Sequence, residues 1–524
     1  MEKTYLMGID VGTTGTKAAL LGTDGVCVSQ VYREYGCVYP RPGWVEQDVR
    51  LLLAQTFETA AEAVRKAGLK PSDIAAVSFS SQRCCTLFLD AAGEPVRPMI
   101  SWQDNRTAEE VALIRATVSD EAFYDVCRLP LSTTWMISKI LWLQRHEPEA
   151  WARTAKVAQL QDYLLRGWGA DGYSSDHCDA AFFGFWDTCR LRWDETLLGV
   201  AGLTPARLPE PRASGTRVGA VSGAVAAQTG LLVGTPLCVG GGDQNVAALG
   251  AGVIAPGLLS VSLGTGGAVC VCVREPFHDA ARKTMVTNHV IHGHWLVEGY
   301  QAGAASVFRW FRDEIAVIES AFAKTSGKDT YALIDEMIAK TPAGARGLLL
   351  MPYFASAATP RWNPSARGTL AGLTFAHDRN CMARAFVEGI TLEVNDMLQA
   401  LIRSSVPFDT VHLLGGPTKS EVWNQIQADV YGHTVRTLHN TDAAVTGAAI
   451  LAGVGVGLFP DAASGVASLV KVRRAYEPDA ARHALYARLY ALYQTLYTSL
   501  TDSGFYDQLA AFQQSVSEKG APPA

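Results

Sequence analysis

The sequence has few charged residues and no excess of positive charge. Charged side chains make up 18% of the 524 residues, and 45 Lys and Arg stand against 51 Asp and Glu, which gives a net charge of −6. A protein whose main task is to hold nucleic acid or an anionic membrane needs a positively charged surface. The composition therefore argues against both of these partners.

Long apolar runs are also missing. No stretch approaches the roughly 18 uninterrupted apolar residues that a membrane-spanning helix requires. Near the start, Glu2 and Asp10 stand where a secretory signal needs an unbroken apolar segment. We therefore expect no membrane partner, and we expect the cytoplasm as the compartment.

The eleven cysteines contain no C-x-x-C pair. This absence excludes a zinc ribbon and a thioredoxin motif. An odd number of scattered cysteines in a chain of this length predicts buried, reduced thiols.

Three common catalytic signatures are absent as well. The chain has no Gly-Lys-Ser/Thr ending of a Walker A loop, no G-x-S-x-G elbow and no H-R-D kinase signature. A P-loop nucleotidase, an α/β-hydrolase and a protein kinase are therefore not indicated.

What the sequence does contain is a strand–loop–strand theme near its start. Residues 5–9, 17–21 and 26–32 read as three strands of a β-meander, and the first turn is Gly12-Thr13-Thr14-Gly15. Residues 48–67 then show helical periodicity, with Asp48 as the N-cap and Gly68 after the last turn.

The theme recurs in the second half. Residues 258–263 and 268–273 are strand-like and are joined by Gly264-Thr265-Gly266-Gly267. Two such units predict an internally duplicated architecture in which each half has its own phosphate-type loop. We place the domain boundary near residues 245–257, and we predict domains over residues 1–250 and 251–524.

The two loops suit phosphate binding. Small residues let backbone N–H groups approach phosphate oxygens, the hydroxyls of Thr13, Thr14 and Thr265 add donors, and a carboxylate such as Asp10 at a strand end can hold Mg²⁺. The alternative is that each loop is a hairpin turn that uses Gly and Thr for its geometry alone. The pair together favours a nucleotide more than either loop does alone.

Asp243 is the main catalytic candidate. It follows Gly240-Gly241-Gly242 at the end of an apolar strand, where a carboxylate is costly unless it meets a partner, a metal or a substrate hydroxyl. A helix cap is the alternative role. Arg83 and Trp102 each lie near the end of a strand and offer the polar and aromatic groups that a sugar requires, although a surface arginine and a core tryptophan are equally compatible.

A cluster of histidines and a row of tyrosines are better explained by structural roles than by ligand binding. Of the clustered His289, His292 and His294, positions 292 and 294 would face the same way if they lay on a strand, but no Cys or carboxylate at metal-ligand spacing accompanies them. The tyrosines at positions 486, 490, 493 and 497 recur at helical spacing, which favours a packing seam over a ligand stripe.

Taken together, these segments resemble the FGGY family of carbohydrate kinases over nearly the whole chain. The resemblance rests on many ordered short matches, which are residues 8–15, 42–48, 100–106, Lys139-Ile140-Leu141-Trp142-Leu143, Gly241-Gly242-Asp243-Gln244, 262–266, 362–368, Leu414-Gly415-Gly416 and Gly447-Ala448-Ala449.

The resemblance implies an α/β fold of two ribonuclease H-like, actin-type ATPase domains around an interdomain cleft. It also implies that ATP and Mg²⁺ are used to phosphorylate a hydroxyl of a small sugar or polyol. By the same resemblance Asp243 would be the general base and Asp10 would help to place the metal. Acceptor contacts would come from Arg83, Trp102, Asp243 and Gln244, and nucleotide contacts from Thr13, Thr14, Gly264, Thr265, Gly415 and Gly416.

The acceptor is not decided by the resemblance. Arg83 and Trp102 look like glycerol kinase, whereas residues 176–181 look more like xylulokinase. We expect a xylulose-like ketopentose or a related polyol, with glycerol kinase as the alternative. A non-catalytic sensor of the same fold is the alternative from another class, and intact Asp10 and Asp243 favour the enzyme. A homodimer is left open.

Overall fold

The structure is a computed structural model that describes residues 4–519. The chain divides into two compact units, and neither is continuous in sequence. The first contains Met1–Pro256, Cys272–Val297 and Asp442–Lys471, and the second contains Gly257–Val271, Glu298–Thr441 and Val472–Ala524. The predicted functional domains, residues 1–250 and 251–524, stay a prediction.

The strands run through both halves of the chain. They are β1 (Tyr5–Val11), β2 (Gly15–Gly22), β3 (Cys27–Glu34), β4 (Glu46–Gln47), β5 (Ile74–Ser81), β6 (Leu87–Leu89), β7 (Met99–Ile100), β8 (Lys156–Ala158), β9 (Ser174–Asp176), β10 (Trp186–Asp187), β11 (Arg192–Trp193), β12 (Glu210–Arg212), β13 (Arg217–Ala220), β14 (Pro236–Gly242), β15 (Gly257–Leu263), β16 (Gly267–Val273), β17 (Met285–Asn288), β18 (Trp295–Gln301), β19 (Leu349–Met351), β20 (Thr369–Ala371), β21 (Phe408–Leu414), β22 (Thr434–Leu438) and β23 (Val472–Tyr476).

The α-helices vary from single turns to long rods. They are α1 (Val49–Ala67), α2 (Ala108–Thr117), α3 (Asp120–Cys127), α4 (Met136–His146), α5 (Pro148–Arg153), α6 (Leu160–Trp168), α7 (His177–Ala181), α8 (Glu195–Val200), α9 (Gly223–Thr229), α10 (Asp243–Gly250), α11 (Ala305–Trp310), α12 (Val317–Ser326), α13 (Thr330–Ala339), α14 (Arg379–Arg403), α15 (Glu421–Tyr431), α16 (Ala443–Gly455), α17 (Ala462–Leu469), α18 (Ala480–Asp502) and α19 (Phe505–Lys519).

The main sheet of the first unit has six strands in the order β13-β14-β5-β1-β2-β3. The predicted meander is present, because β1 pairs antiparallel with β2 and β2 pairs antiparallel with β3. Beyond it β5 lies parallel to β1, β14 lies parallel to β5, and β13 closes the edge in the antiparallel direction. The carboxyl ends of β1, β5 and β14 therefore meet at one edge of the sheet.

The sheet of the second unit has a similar order and direction of strands. Six of its strands lie in the order β23-β22-β21-β15-β16-β18. Strands β15 and β16 are antiparallel, β21 is parallel to β15, β22 is parallel to β21, and β23 is again antiparallel. The repetition confirms the internal duplication that the two Gly-Thr loops predicted.

The first sheet is covered on both faces, as the alternation along its strands requires. Met7 and Ile9 of β1 belong to the core that includes Leu52 and Ala60 of α1. The intervening Leu6 belongs to a second core with Ala449 of α16. Helix α1 begins where predicted, because Asp48 accepts a hydrogen bond from the Arg50 amide at 3.0 Å.

Several remaining features match the sequence in part. Most of the eleven cysteines are buried and all are free thiols. Of the tyrosine stripe on α18, Tyr486, Tyr493 and Tyr497 are buried, as expected for a packing seam. Among the helices of residues 4–519, none is both long and apolar enough to cross a bilayer.

Candidate functional site

The first Gly-Thr loop joins β1 to β2 and is held by side chains from three other segments. The Gly12 amide donates to the Gly15 carbonyl at 3.0 Å and so closes the turn. The Thr13 hydroxyl donates to Gln82 Oε1 at 2.9 Å and accepts from Trp102 Nε1 at 2.9 Å. Gln47 Nε2 donates to the Thr13 carbonyl at 2.9 Å. The loop is therefore fixed before any ligand binds.

Asp10 lies beside this loop, near the end of β1. In the sheet it is opposite Ser80 of β5 and Lys17 of β2, and its Oδ1 accepts from the Ser80 hydroxyl at 2.7 Å. Burial, followed by repulsion from Asp442, raises the pKa of Asp10 to about 7, and Asp243 adds to the repulsion. Lys17 forms an ion pair with Asp442. These carboxylates repel one another and would accommodate a cation.

Asp243 lies at the first position of α10, immediately after β14. Its side chain is 30% exposed, whereas that of Arg83 is 13% exposed. The Gln244 amide donates to Asp243 Oδ1 at 2.7 Å, and the N-cap of the helix is Gly242 rather than Asp243. The cap is thus supplied by backbone geometry, and the carboxylate stays accessible to solvent.

Arg83 connects β5 to the start of α10. Its Nε lies 3.3 Å from Asp243 Oδ1, and its Nη1 donates to Asn245 Oδ1 at 2.9 Å. The guanidinium also lies over the Phe182 ring, 4.6 Å from the centroid. Asn245 is itself fixed, because its Nδ2 donates to the Thr287 hydroxyl at 2.9 Å and to the Asn288 carbonyl at 3.0 Å. The structure therefore brings the side chains of Arg83 and Asp243 together.

The glycine before Asp243 is required by close packing. A Cβ at Gly242 would lie 2.4 Å from Cδ of Arg83 and 2.9 Å from Oδ1 of Asp179. That Asp179 oxygen has no hydrogen-bond partner among the described residues, although the residue is fully buried. Burial, then repulsion from Asp176, raises the pKa of Asp179 well above its usual range. Gly242 thus lets the Arg83 side chain lie against β14.

Trp102 and Gln244 occupy different positions around these groups. Trp102 is partly buried, and its indole nitrogen binds the Thr13 hydroxyl. Gln244 is also partly buried and follows Asp243 on α10. The predicted acceptor residue Trp102 is therefore linked to the predicted phosphate loop by one hydrogen bond.

The second Gly-Thr loop joins β15 to β16 in the second unit and is held mainly through its backbone. The Gly264 amide donates to the Gly266 carbonyl at 2.9 Å. The Thr265 carbonyl accepts from the Ala304 amide at 3.0 Å and from the Ser306 hydroxyl at 2.7 Å. Gly264 and Thr265 are both exposed. The Thr265 side chain is therefore available to a ligand.

Gly415 and Gly416 follow β21 in the same unit. Gly415 has a φ of 89°, and a Cβ there would lie 2.3 Å from the Leu263 carbonyl oxygen. Only glycine meets both conditions without strain. Gly415 therefore lets the turn after β21 lie against the end of β15, directly before Gly264.

The histidine cluster lies mainly in a turn between two strands. Residues 291–294 form the turn between β17 and β18, in which the His289 amide donates to the His294 carbonyl at 2.9 Å. His289 is buried, and its Nε2 lies 2.8 Å from the Val253 carbonyl. Within residues 4–519, the one group of His, Cys, Asp or Glu with metal-ligand spacing is Glu109, Glu110 and His146. His292 and His294 therefore do not share a strand face.

Some site residues were missed by reasoning from the sequence. Asn245 directly follows Gln244, and Gln82 directly precedes Arg83. Their position next to predicted site residues could have identified them as candidates. Asp179 lies far from Gly242 in sequence, and only the packing of α7 against β14 brings the two together.

Two family models cover most of the chain. Residues 5–250 match the N-terminal domain, and residues 259–456 the C-terminal domain, of the FGGY family of carbohydrate kinases. The chain belongs to the FGGY family of carbohydrate kinases. An FGGY kinase is a phosphotransferase that acts on a sugar or polyol hydroxyl with ATP as the phosphate donor, and this confirms the enzyme class that the resemblance implied.

Individual relatives of this FGGY kinase differ in their acceptors. It is 29% identical over 499 residues to the xylulose kinase of Bacillus subtilis, which covers 95% of this chain and 97% of the relative. It is 28% identical over 516 residues to the gluconokinase of Bacillus licheniformis, which covers 98% and 99% respectively.

A solved structure supports the fold. The ligand-bound xylulose kinase of Lactobacillus acidophilus superposes with a TM-score of 0.87 at 25% identity, covering 97% of this chain and all of that one. The FGGY kinase therefore has the two-domain, ribonuclease H-like fold of actin-type ATPases, as expected.

Proposed function

We propose that this FGGY kinase transfers the γ-phosphate of Mg-ATP to a hydroxyl of an uncharged, xylulose-like ketopentose or a related polyol, with Asp243 as the general base. The observation that carries the proposal is the pairing of Asp243 with Arg83 at the start of α10. The carboxylate is partly exposed to a substrate, while the guanidinium holds its Oδ1 from one side at 3.3 Å. A base in phosphoryl transfer needs this kind of fixed orientation more than a high pKa, because the proton leaves late.

Arg83, Trp102 and Gln244 are proposed to bind the acceptor. The Arg83 guanidinium is already engaged by Asp243 and Asn245. An anionic sugar acid would have to compete with Asp243 for this cation. Placing the carboxylate of a sugar acid beside the carboxylate of Asp243 would cost roughly several kcal/mol. An uncharged sugar, which needs only hydrogen bonds, is therefore favoured over gluconate.

Asp10 is proposed to place the Mg²⁺. Carboxylate oxygens are the ligands that Mg²⁺ prefers, and the ion commonly binds proteins through one or two carboxylates, water and substrate phosphates. The mutual repulsion of Asp10, Asp442 and Asp243 fits a divalent cation, because a nearby positive charge would relieve it. When bound, the ion would neutralise charge that develops on the transferred phosphoryl group.

Two sets of loop residues are proposed to bind the nucleotide. Thr13 and Thr14 belong to the first unit, and Gly264, Thr265, Gly415 and Gly416 belong to the second. Support comes from the repeated strand–turn–strand geometry and from the exposed position of Thr265. Backbone N–H groups in such turns are suited to phosphate oxygens.

An ADP-release assay with a panel of acceptors tests the proposal. The panel contains D-xylulose, D-ribulose, xylitol, glycerol and gluconate. We expect the highest kcat/KM for an uncharged pentulose or pentitol and a value for gluconate that is at least about tenfold lower. A preference for glycerol would favour the glycerol kinase alternative, and a preference for gluconate would contradict the proposed acceptor class.

The non-catalytic sensor is tested by the same assay. It predicts no sugar-dependent ADP release with any acceptor, although nucleotide would still bind. The accessible Asp243 carboxylate favours the enzyme, because a sensor has no need of a base at this position.

A further inference from the structure

Lys139 is a fully buried lysine in α4 whose contacts are not explained by core packing alone. Its ammonium donates to the Cys84 carbonyl at 2.9 Å and to the Ser101 carbonyl at 2.9 Å. The residue is 0% exposed, and burial lowers the pKa of Lys139. The nearby carboxylate of Asp104, which partly offsets this effect, forms its ion pair with Arg106. An ammonium that is buried without a counter-ion is costly, so an apolar side chain would be the simpler core residue.

The two carbonyls belong to the segments that carry the proposed acceptor residues. Cys84 directly follows Arg83, and Ser101 directly precedes Trp102. The two segments are more than a dozen residues apart in sequence, yet one ammonium binds a backbone atom in each. Lys139 thereby holds the backbone just after β5 and just after β7, next to the side chains of Arg83 and Trp102 that would bind the acceptor.

The hydrogen bond from Lys139 to the Cys84 carbonyl holds a residue with an unusual backbone conformation. Cys84 has a φ of 61°, in the left-handed region that a residue with a Cβ rarely adopts. Its amide donates to Gln159 Oε1 at 2.8 Å, and its carbonyl accepts from Lys139. Such a conformation persists only where surrounding contacts over-determine it, and it is commonest at functional sites.

We propose that Lys139 is a positioning residue for acceptor binding, which ties the backbone after Arg83 to the backbone before Trp102 and so sets the spacing of the two side chains. This inference rests on the proposed acceptor roles of Arg83 and Trp102. Lys139 itself does not touch the acceptor. It acts through the two carbonyls, and loss of its ammonium would let Cys84 relax out of the left-handed region.

The main test is Lys139→Met, which keeps the apolar stem and removes the ammonium. We expect the acceptor KM to rise at least tenfold while the ATP KM stays within twofold of the parent. The matched control is Arg384→Met in the second unit. Arg384 is also a buried cation that donates to two carbonyls, those of Ile338 at 3.2 Å and Thr341 at 2.8 Å, and it pairs in addition with Glu388. All of these partners belong to the second unit, whereas the proposed acceptor residues belong to the first.

The two variants separate positioning from general destabilisation. A purely structural role for Lys139 predicts that both variants lower the melting temperature and the active fraction, with the acceptor KM unchanged in each. An acceptor KM that is unchanged in folded Lys139→Met would therefore overturn the proposal.

A second variant tests the link through Cys84. Glycine adopts positive φ without strain, so Cys84→Gly introduced into Lys139→Met should lower the acceptor KM towards that of the parent. A double variant whose acceptor KM equals that of Lys139→Met would contradict the link. If Lys139→Met does not fold, Lys139→Gln replaces it, and amide exchange should then quicken selectively in residues 82–86 and 101–104. Unchanged exchange there would also count against the proposal.

Arg83→Ala distinguishes failure of this inference from failure of the proposed function. If Arg83→Ala leaves the acceptor KM unchanged, the proposed acceptor site is wrong. If Arg83→Ala raises the acceptor KM and Lys139→Met does not, the acceptor site stands and only the positioning role is wrong.

Discussion

The two Gly-Thr loops have similar sequences and similar strand contexts, but they are supported in different ways. In the first unit the Thr13 hydroxyl is engaged by Gln82 and Trp102, and the Thr13 carbonyl is engaged by Gln47. In the second unit the Thr265 carbonyl is held by Ala304 and Ser306, and the side chain is exposed.

This difference suggests different roles for Thr13 and Thr265, which the sequence analysis placed in equivalent loops. A hydroxyl that already donates one hydrogen bond and accepts another has little left to offer a phosphate oxygen. Any contribution of Thr13 to phosphate binding therefore comes from its backbone amide, whereas Thr265 can use its hydroxyl. The first loop is linked to the proposed acceptor residue Trp102 by the hydrogen bond between its indole nitrogen and the Thr13 hydroxyl.

The largest expected effect comes from a residue of the first unit that neither loop contains. Asp243→Asn keeps the size and the hydrogen-bonding reach of the side chain but cannot accept the proton. We expect kcat to fall by roughly 10²–10⁴-fold, because that is the usual contribution of a general base. Rapid-quench or steady-state ADP release, with parent and variant assayed side by side, gives the measurement. The ATP affinity measured by calorimetry and the melting temperature should change little. A similar kcat in parent and variant would contradict the role of Asp243 as the general base.

Arg83→Ala should produce the next largest effect, and it should be confined to the acceptor. Loss of a charged hydrogen bond costs about 1.5–3 kcal/mol, which corresponds to roughly a 10- to 150-fold loss of acceptor kcat/KM. Slow ATP hydrolysis without acceptor should persist, since Arg83 lies outside both Gly-Thr loops. The control is Arg50→Ala, which removes an exposed arginine that pairs with Glu94 on the surface of the same unit. Equal acceptor kinetics in Arg83→Ala and the parent would remove Arg83 from the site.

A pair of matched substitutions tests the difference between the loops directly. Thr265→Val should raise the ATP KM about tenfold or more, with the melting temperature nearly unchanged, because it removes an exposed donor to phosphate. Thr13→Val should instead lower the free energy of unfolding by roughly 1–3 kcal/mol, because Gln82 and Trp102 lose their partner. Calorimetry with ATP and urea unfolding measure the two quantities. If the two variants behave alike, the proposed division of roles is wrong.

The smallest expected effect is a difference in how two buried groups, Glu393 of the second unit and His289 of the first, make stability depend on pH. In the second unit, burial raises the pKa of Glu393 to about 8, and Gln301 donates to its Oε2 at 2.7 Å. The folded state therefore binds a proton that the unfolded state releases above about pH 4.5, so the stability from Glu393 falls as pH rises from about 4.5 to 8. Glu393→Gln should flatten this part of the unfolding profile.

His289 of the first unit should contribute to stability in the opposite direction. Burial lowers the pKa of His289 to about 4. The unfolded state then binds a proton that the folded state does not, so stability falls as pH drops from about 6.5 to 4. His289→Asn should reduce this acid sensitivity and leave the range from pH 7 to 8 unaffected. Urea unfolding of parent and both variants at pH 5, 6.5 and 8 gives the slopes, and parallel slopes in all three proteins would contradict both assignments.

Local chemistry in the sequence was sufficient for several parts of the fold. The meander of β1, β2 and β3 follows from alternating apolar residues and from Gly-rich turns, and helix α1 follows from an Asp48 cap and the left-handed Gly68. The duplication was visible because the same strand–turn–strand signal occurs twice. These signals need only residues that are close in sequence.

Other parts depended on contacts between distant segments. Residues 442–471 belong to the first unit, although the second unit's segment 298–441 precedes them. No local pattern in the sequence indicates that residues 442–471 rejoin the first unit, because their position depends on the packing of α16 against β1 and β5. The turn at residues 291–294 is likewise not marked by a local pattern, since the spacing of His292 and His294 carries no information on the hairpin geometry.

The sequence by itself determined which chemical groups the protein has: Asp10, Arg83, Trp102 and Asp243, each at the end of a strand or close to it, and two loops with small residues. Only the tertiary structure decided how these groups are used. It pairs Arg83 with Asp243, engages Thr13 internally while it exposes Thr265, and places the buried ammonium of Lys139 on the carbonyls of Cys84 and Ser101. The physical reason is that hydrogen bonds and burial depend on distances between segments far apart in the chain, and parallel strands bring their ends together only after the sheet has formed.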